Sequence, residues 1–159
     1  MRHIVTVLVE NRAGVLSRIA GLFARRGFNI ESLAVGITED PRISRMTVAV
    51  DCDPQLLEQI EKQLNKLIDT IKVKILPDGG YIGRELTLVR VGCPVGRRAD
   101  VVRIAEIMDA RLVDITPATV TLEFTDTTER TETFISLLKP FGIRELVRTG
   151  VSAIEKQDK

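Results

Sequence analysis

Histidine, cysteine and aromatic residues are scarce in this 159-residue chain, and each scarcity excludes a class of function. The only histidine, His3, begins a predicted strand, where a structural role is favoured, so a Ser/His/Asp or Cys/His arrangement has no usable base. Cys52 and Cys93 lie far apart without a CxxC pair, which favours buried free thiols over a disulfide or a metal site. Five Phe, one Tyr and no Trp offer few platforms for stacking bases.

Charge and long apolar runs are also limited. The formal net charge is only +1, which gives no electrostatic reason to expect nucleic acid or an anionic membrane as a partner. The chain has no P-loop, no GxGxxG after a strand, no signal peptide and no apolar run near 18 residues. We therefore expect a cytoplasmic, soluble protein without catalytic residues or a bound metal.

The first half of the chain has the order of a small α+β domain. Apolar, β-branched runs predict strands, apolar residues at helical spacing predict two helices, and Asp53-Pro54 predicts the start of the second helix. The predicted strands are 4–9, 28–34, 43–50 and 71–76. The order β-α-β-β-α-β is the ferredoxin-like plan.

The same plan recurs after a stretch rich in proline and glycine. Residues 77–84 predict a linker between domains 1–76 and 85–159. In the second copy, Asp126 and Glu129 have capping-box spacing before a helix, and Glu145–Ile154 predicts the last strand, although Gly150 divides it. The fold class is thus α+β, with two tandem ferredoxin-like domains whose exposed sheet edges favour edge-to-edge dimers.

A distinctive loop, residues 10–16, joins the first strand to the first helix. Gly14 lies where the chain turns, and glycine allows a ligand to approach the backbone without an intervening side chain. The amides of Gly14, Val15 and Leu16 then face outward from a helix N-terminus, which suits a carboxylate or a phosphate. A simple turn capped by Asn11 explains the same residues. The second copy has Gly92-Cys93-Pro94-Val95-Gly96 in this place.

Several motifs carry a resemblance to a known family. The segment 10–18 resembles the ligand loop of ACT domains, which bind amino acids between paired copies. Segments 21–33, 44–47, 57–67, 84–86, 140–143 and 148–150 make nearly the whole chain similar to the small, regulatory subunits of acetohydroxyacid synthase (acetolactate synthase). The resemblance implies an N-terminal ACT domain and a C-terminal ACT-like domain.

The resemblance also implies a function. Such subunits are not catalytic; they bind and activate a large subunit that carries thiamine diphosphate, Mg²⁺ and usually FAD. They form homodimers and confer feedback inhibition by valine or another branched-chain amino acid, bound at the interface of two ACT domains. On this chain, the expected effector-binding residues are Asn11, Ala13, Gly14, Val15, Leu16, Asn29 and Ile30.

The chemistry of several of these residues suits an amino-acid ligand, although some of them also fit an ordinary structural role. The amides at Gly14 suit the effector carboxylate, and Asn11 or Asn29 offers an acceptor for the ammonium group or a donor for the carboxylate. Leu16 and Ile30 either flank a branched side chain or belong to the core.

Three other functions remain as alternatives. An ACT-domain sensor of a different enzyme or transcription factor would share the loop. An RNA-recognition-like module would need aromatic residues on its central strands, and strands 4–9 and 71–76 have none. A small transferase of this fold would need a nucleophile paired with a base.

Overall fold

The computed structural model describes residues 1–158, which form nine strands and four α-helices. In chain order they are β1 (Arg2–Glu10), α1 (Val15–Arg25), β2 (Ile30–Ile37), β3 (Ile43–Asp51), α2 (Pro54–Asn65), β4 (Thr70–Leu76), β5 (Tyr81–Gly92), α3 (Arg98–Met108), β6 (Arg111–Ile115), β7 (Thr119–Asp126), α4 (Thr128–Leu138), β8 (Ile143–Arg148) and β9 (Ser152–Glu155). Short 3₁₀ turns precede α3 and follow α4.

The chain divides into two compact units, residues 1–82 with 150–159 and residues 83–149. In unit 1 the strands lie in the order β2-β3-β1-β4, all antiparallel. One face of this sheet packs on α1 and α2, because alternate strand residues such as Val5, Val7 and Val48 meet the apolar stripes of the helices. The predicted βαββαβ fold is confirmed for this unit.

The other face of the unit 1 sheet is partly covered by the end of the chain. Val151 and Ala153 pack against Ile4, Ala49 and Leu76 in a small buried cluster. This segment, which contains β9, belongs to unit 1. The C-terminal residues therefore contribute to the stability of the N-terminal fold.

Unit 2 repeats the plan with the equivalent order β6-β7-β5-β8. Its core lies between the sheet and helices α3 and α4, and includes the stacked pair Phe124 and Phe134, whose ring centroids are 4.5 Å apart. The two-domain α+β prediction is confirmed by this second sheet.

Several predicted boundaries differ from the structure. Predicted linker residues 77–84 form a turn only as far as Gly80, and the rest already belong to β5. The predicted last strand is two strands, β8 and β9, because Gly150 has φ +78° and breaks the extended backbone. As a result, residues after Gly150 belong to unit 1 and not to a domain 85–159.

Of the two predicted helix caps, the one on α2 is present and the one on α4 is not. Asp53 caps α2 by accepting a hydrogen bond from Leu56 N–H at 2.8 Å, as predicted. The cap of α4 is Thr127 and not Asp126: its Oγ1 accepts from Arg130 N–H at 3.3 Å, whereas Asp126 accepts from Thr127 N–H at 2.7 Å. The predicted capping box with Glu129 is therefore wrong by one residue.

Candidate functional site

The loop after β1 is held on both sides by backbone hydrogen bonds. Glu10 N–H donates to the Asp69 carbonyl at 2.9 Å, and Asn11 N–H donates to the Arg42 carbonyl at 2.7 Å. The Asn11 side chain donates from Nδ2 to the Pro41 carbonyl at 2.9 Å. Asn11 therefore ties the loop to the β2–β3 turn and does not cap α1, whose N-cap is Gly14.

Gly14 provides the sharp turn into α1. Its φ of +85° lies in the left-handed region that side-chain-bearing residues avoid, and a Cβ there would lie 3.2 Å from Arg18 Nη1. The first amides of a helix have no intrahelical acceptor, and the helix dipole favours an anion beside them. Gly14 thus forms the positive end of α1, where the Val15 N–H donates to the Arg12 carbonyl at 3.4 Å.

An ion pair that the sequence analysis missed lies next to this loop. Arg18 Nε and Nη2 lie 2.8 and 2.7 Å from Asp69 Oδ2, and Asp69 is buried while Arg18 is half-exposed. This pair places a guanidinium beside Gly14. Arg18 lies one helical turn after Gly14, and this spacing could have indicated it; Asp69, 51 residues away, has no such local indication.

A shallow cleft of about 540 Å³ opens beside the loop, and its charges are already paired. Arg42 donates to Asp40 at 2.8 Å, and Arg12 pairs with Glu10. The hydrogen bonds from Arg42 lower the pKa of Asp40 from 3.8 to about 2. Of the predicted effector residues, only Asn11 lines this cleft, whose residues are Glu10, Asn11, Arg12, Asp40, Pro41, Arg42, Ile43 and Ile71.

The other predicted residues differ in what they offer a ligand. Ala13, Leu16 and Asn29 are exposed, with 45% of Leu16 accessible. Val15 is buried in the core, and its backbone N–H already donates to the Arg12 carbonyl at 3.4 Å. Ile30 is half-buried and packs against the core of unit 1.

Strand register separates the predicted residues into two groups at opposite ends of the sheet. Ile30 pairs with Val50, which pairs with His3 at the start of β1, whereas Asn11 and Gly14 follow Glu10 at its end. From His3 to Glu10 is seven steps of about 3.3 Å, or roughly 23 Å. One chain therefore does not bring Asn29 and Ile30 to the loop at Gly14.

The fold and the loop together define an ACT-domain protein. Residues 5–72 match the model of the AHAS small subunit-like ACT domain, and residues 84–157 match the model of the small subunit of acetolactate synthase. The chain therefore belongs to the acetolactate synthase small-subunit family, which confirms the resemblance found in its motifs.

Relatives across the whole chain agree with this assignment. A probable acetolactate synthase small subunit of Archaeoglobus fulgidus is 47% identical over 100% of this chain and 99% of its own length. An acetolactate synthase small subunit of Aquifex aeolicus is 48% identical over 98% of this chain and 82% of its own length. The crystal structure of the acetolactate synthase small subunit from Thermotoga maritima superposes with a TM-score of 0.92 at 34% identity, covering 100% of this chain and 99% of that one.

The described residues offer neither a metal-binding cluster nor a membrane-spanning helix. Among residues 1–158, no group of three or more His, Cys, Asp or Glu side chains is arranged to hold a metal ion. None of the helices in the same residues is both long and apolar enough to cross a bilayer.

Proposed function

We propose that this chain is a non-catalytic regulatory subunit that activates the catalytic subunit of acetolactate synthase and makes it sensitive to valine. Valine, or another branched-chain amino acid, binds where the ACT domains of two chains meet in a homodimer. Thiamine diphosphate, Mg²⁺ and FAD belong to the catalytic partner in this proposal. The cytoplasmic location stays a prediction from the sequence.

The separation of the two groups of predicted residues is the main support for a site between chains. β2 is an edge strand of the unit 1 sheet, and its Val35 and Ile37 are 46% and 64% exposed. If two β2 strands pair antiparallel about a two-fold axis, the Ile30 end of one strand meets the Ile37 end of the other. Ile37 pairs with Ser44, which pairs with Val9, so that end is also the end of the Gly14 loop.

Each part of an amino acid then has a matching group. The carboxylate binds at the first amides of α1, beside Arg18, whose Nη1 faces Gly14 while its Nε and Nη2 donate to Asp69. Asn29 of the second chain supplies an amide carbonyl for the ammonium group. Leu16 of one chain and Ile30 of the other flank the aliphatic side chain. The proposed effector-binding residues are Asn11, Ala13, Gly14, Val15, Leu16, Asn29 and Ile30.

Regulation follows from linkage between the effector and the catalytic subunit. If the two stabilise different arrangements of the ACT dimer, each weakens the binding of the other by the same factor. Allosteric couplings of this kind are typically about 1–3 kcal/mol, a five- to 150-fold change in affinity. One methylene changes the binding free energy in such a pocket by only ~1–3 kcal/mol, so leucine and isoleucine are expected to bind as well.

A reconstitution assay tests the proposal. The purified chain is mixed with the catalytic subunit from the same organism, and acetolactate formation is measured with and without valine. Activation that valine reverses supports the proposal. Activation without a response to valine contradicts the assignment of valine as the effector. If a competent catalytic subunit is not activated, the result favours an ACT-domain regulator of another target.

Gly14 offers a matched pair of variants. We expect Gly14→Asp to keep activation but lose the valine response, because its carboxylate repels that of the effector. Gly14→Asn has nearly the same size and tolerates positive φ, but is neutral, so it should keep more of the response. Equal valine inhibition in wild type and Gly14→Asp would show that the loop is not the carboxylate site.

A further inference from the structure

A second concave surface lies in unit 1 on the sheet face opposite the helices. It is a groove of about 950 Å³, within the size range of small-molecule sites. Its floor is the face of β1, β3 and β4, and one wall is formed by residues 154–158. The Gly14 loop does not line this groove, so a ligand here occupies a site separate from that of the proposed effector.

Long cationic side chains converge on the groove from both sides of β1. Leu8 of β1 pairs with Arg45 of β3 on one side and with Lys72 of β4 on the other. Since neighbouring strands are about 4.8 Å apart, the Cα atoms of Arg45 and Lys72 lie roughly 10 Å apart, which lets both side chains reach one ligand. Lys74, two residues along β4 from Lys72, faces the same groove.

Two of these cations lack a carboxylate partner. Lys74 pairs with Glu155, but among residues 1–158 neither Arg45 nor Lys72 forms an ion pair. Lysines on an edge strand such as β4 also discourage pairing with other chains. That role does not explain Arg45, which is exposed on the interior strand β3.

The local structure fixes the groove's shape. Residues beside Arg45 are buried: Ser44 and Met46 have less than a tenth of their surface exposed. Thr47 Oγ1 accepts from Ala153 N–H at 3.4 Å, and Lys156 Nζ donates to the Gly79 carbonyl at 2.8 Å. These two bonds hold the C-terminal wall against the sheet. The groove is therefore formed by the fold itself.

We propose that this groove binds a small molecule that carries a multivalent oxyanion, either a phosphate or a pair of carboxylates. Arg45 offers a planar set of donors for two oxygens, and Lys72 adds a point charge on the far side of Leu8. Leu8, Leu76 and Ile154 provide apolar contacts for the uncharged part of the ligand.

Isothermal titration calorimetry of the full chain with pyrophosphate, and separately with citrate, tests the proposal. At least one anion should bind, more weakly as salt rises because exposed charges are screened. Loss of one charge-assisted contact should weaken binding roughly tenfold in Arg45→Gln and, independently, in Lys72→Gln. If pyrophosphate binds more tightly than citrate, the natural ligand carries phosphate; if citrate binds more tightly, it carries carboxylates.

Two control variants make the result specific. Arg103→Gln removes an exposed positive charge from α3 in unit 2 and should leave binding unchanged. Gly14→Asp should also bind the anion normally, which separates this groove from the effector site. The proposal is overturned if neither anion binds wild type, or if Arg45→Gln and Lys72→Gln bind no more weakly than Arg103→Gln.

Discussion

Arg148 neutralises a buried carboxylate in unit 2, and its removal should be among the most destabilising single changes in that unit. Its Nε and Nη2 donate to Glu85 Oε1 at 3.0 and 2.5 Å, and its Nη1 donates to Glu132 at 2.6 Å. Glu85 is only 3% exposed. Burial acts to lower the pKa of Arg148, but the hydrogen bonds with Glu132 and Glu85 outweigh it and raise that pKa.

Arg148→Met keeps much of the side-chain volume but leaves Glu85 buried without a cation. Removing one partner of a buried pair costs about 3–5 kcal/mol, and we expect about 3 because the Arg148 side chain is 29% exposed. Urea unfolding followed by circular dichroism measures the loss. Removing both charges in Arg148→Met/Glu85→Leu should restore part of it, since no unpaired charge stays buried.

An exposed ion pair on the same strands provides the control. Arg90 lies 2.8 Å from Glu145, with 43% and 64% of the two side chains exposed. Exposed pairs contribute about 0–1 kcal/mol, so Arg90→Met should change the free energy of unfolding little. If Arg148→Met lowers the free energy of unfolding no more than Arg90→Met does, the burial of Glu85 does not make its ion pair with Arg148 important for stability.

Three further predictions concern local structure. Gly150→Ala should destabilise the protein more than Gly27→Ala, as measured by thermal melting. Both glycines have positive φ, but a Cβ on Gly150 would lie 2.8 Å from a side chain of β2, whereas a Cβ on Gly27 would meet nothing within 4 Å. The Asp40 carboxyl should titrate near pH 2 by NMR, and its pKa should rise in Arg42→Gln while staying below 3.8, because the backbone N–H of residue 42 still donates to it. Because its folded-state pKa is depressed, its contribution to stability is present above about pH 4 and is lost as pH falls towards 2, so a flat acid profile would contradict the pairing. Thr127→Ala should cost about 1 kcal/mol as the loss of the α4 cap, and no change in unfolding free energy would contradict that assignment.

Local sequence patterns were sufficient for the order of the elements. The apolar, β-branched run of β1 and the helical spacing of Val15, Ile19 and Leu22 are features of neighbouring residues in the chain, and both elements formed as predicted. The Asp53-Pro54 start of α2 was likewise a local feature. Such features depend on backbone preferences within a few residues.

Contacts between distant residues were not predictable in this way. The partner of Arg18 is Asp69, and the partner of Glu85 is Arg148, 63 residues further on. Likewise, nothing local indicates that the residues after Gly150 return to unit 1, because that placement depends on burial of Val151 against Ile4. Periodicity reports which face of an element is apolar but not which element will cover it.

The candidate site combines both kinds of information. The sequence motif identified Gly14 and Asn29 as members of one site, whereas the register of β1, β2 and β3 places them at opposite ends of one sheet. Within one chain, Asn11 therefore lines a cleft whose cations are already paired, and Asn29 lies apart from it. The motif and the strand register are consistent only if a second chain contributes Asn29 and Ile30 to the site at Gly14. If the proposed site is divided in this way, effector binding depends on dimerisation, and by reciprocity the effector stabilises the dimer.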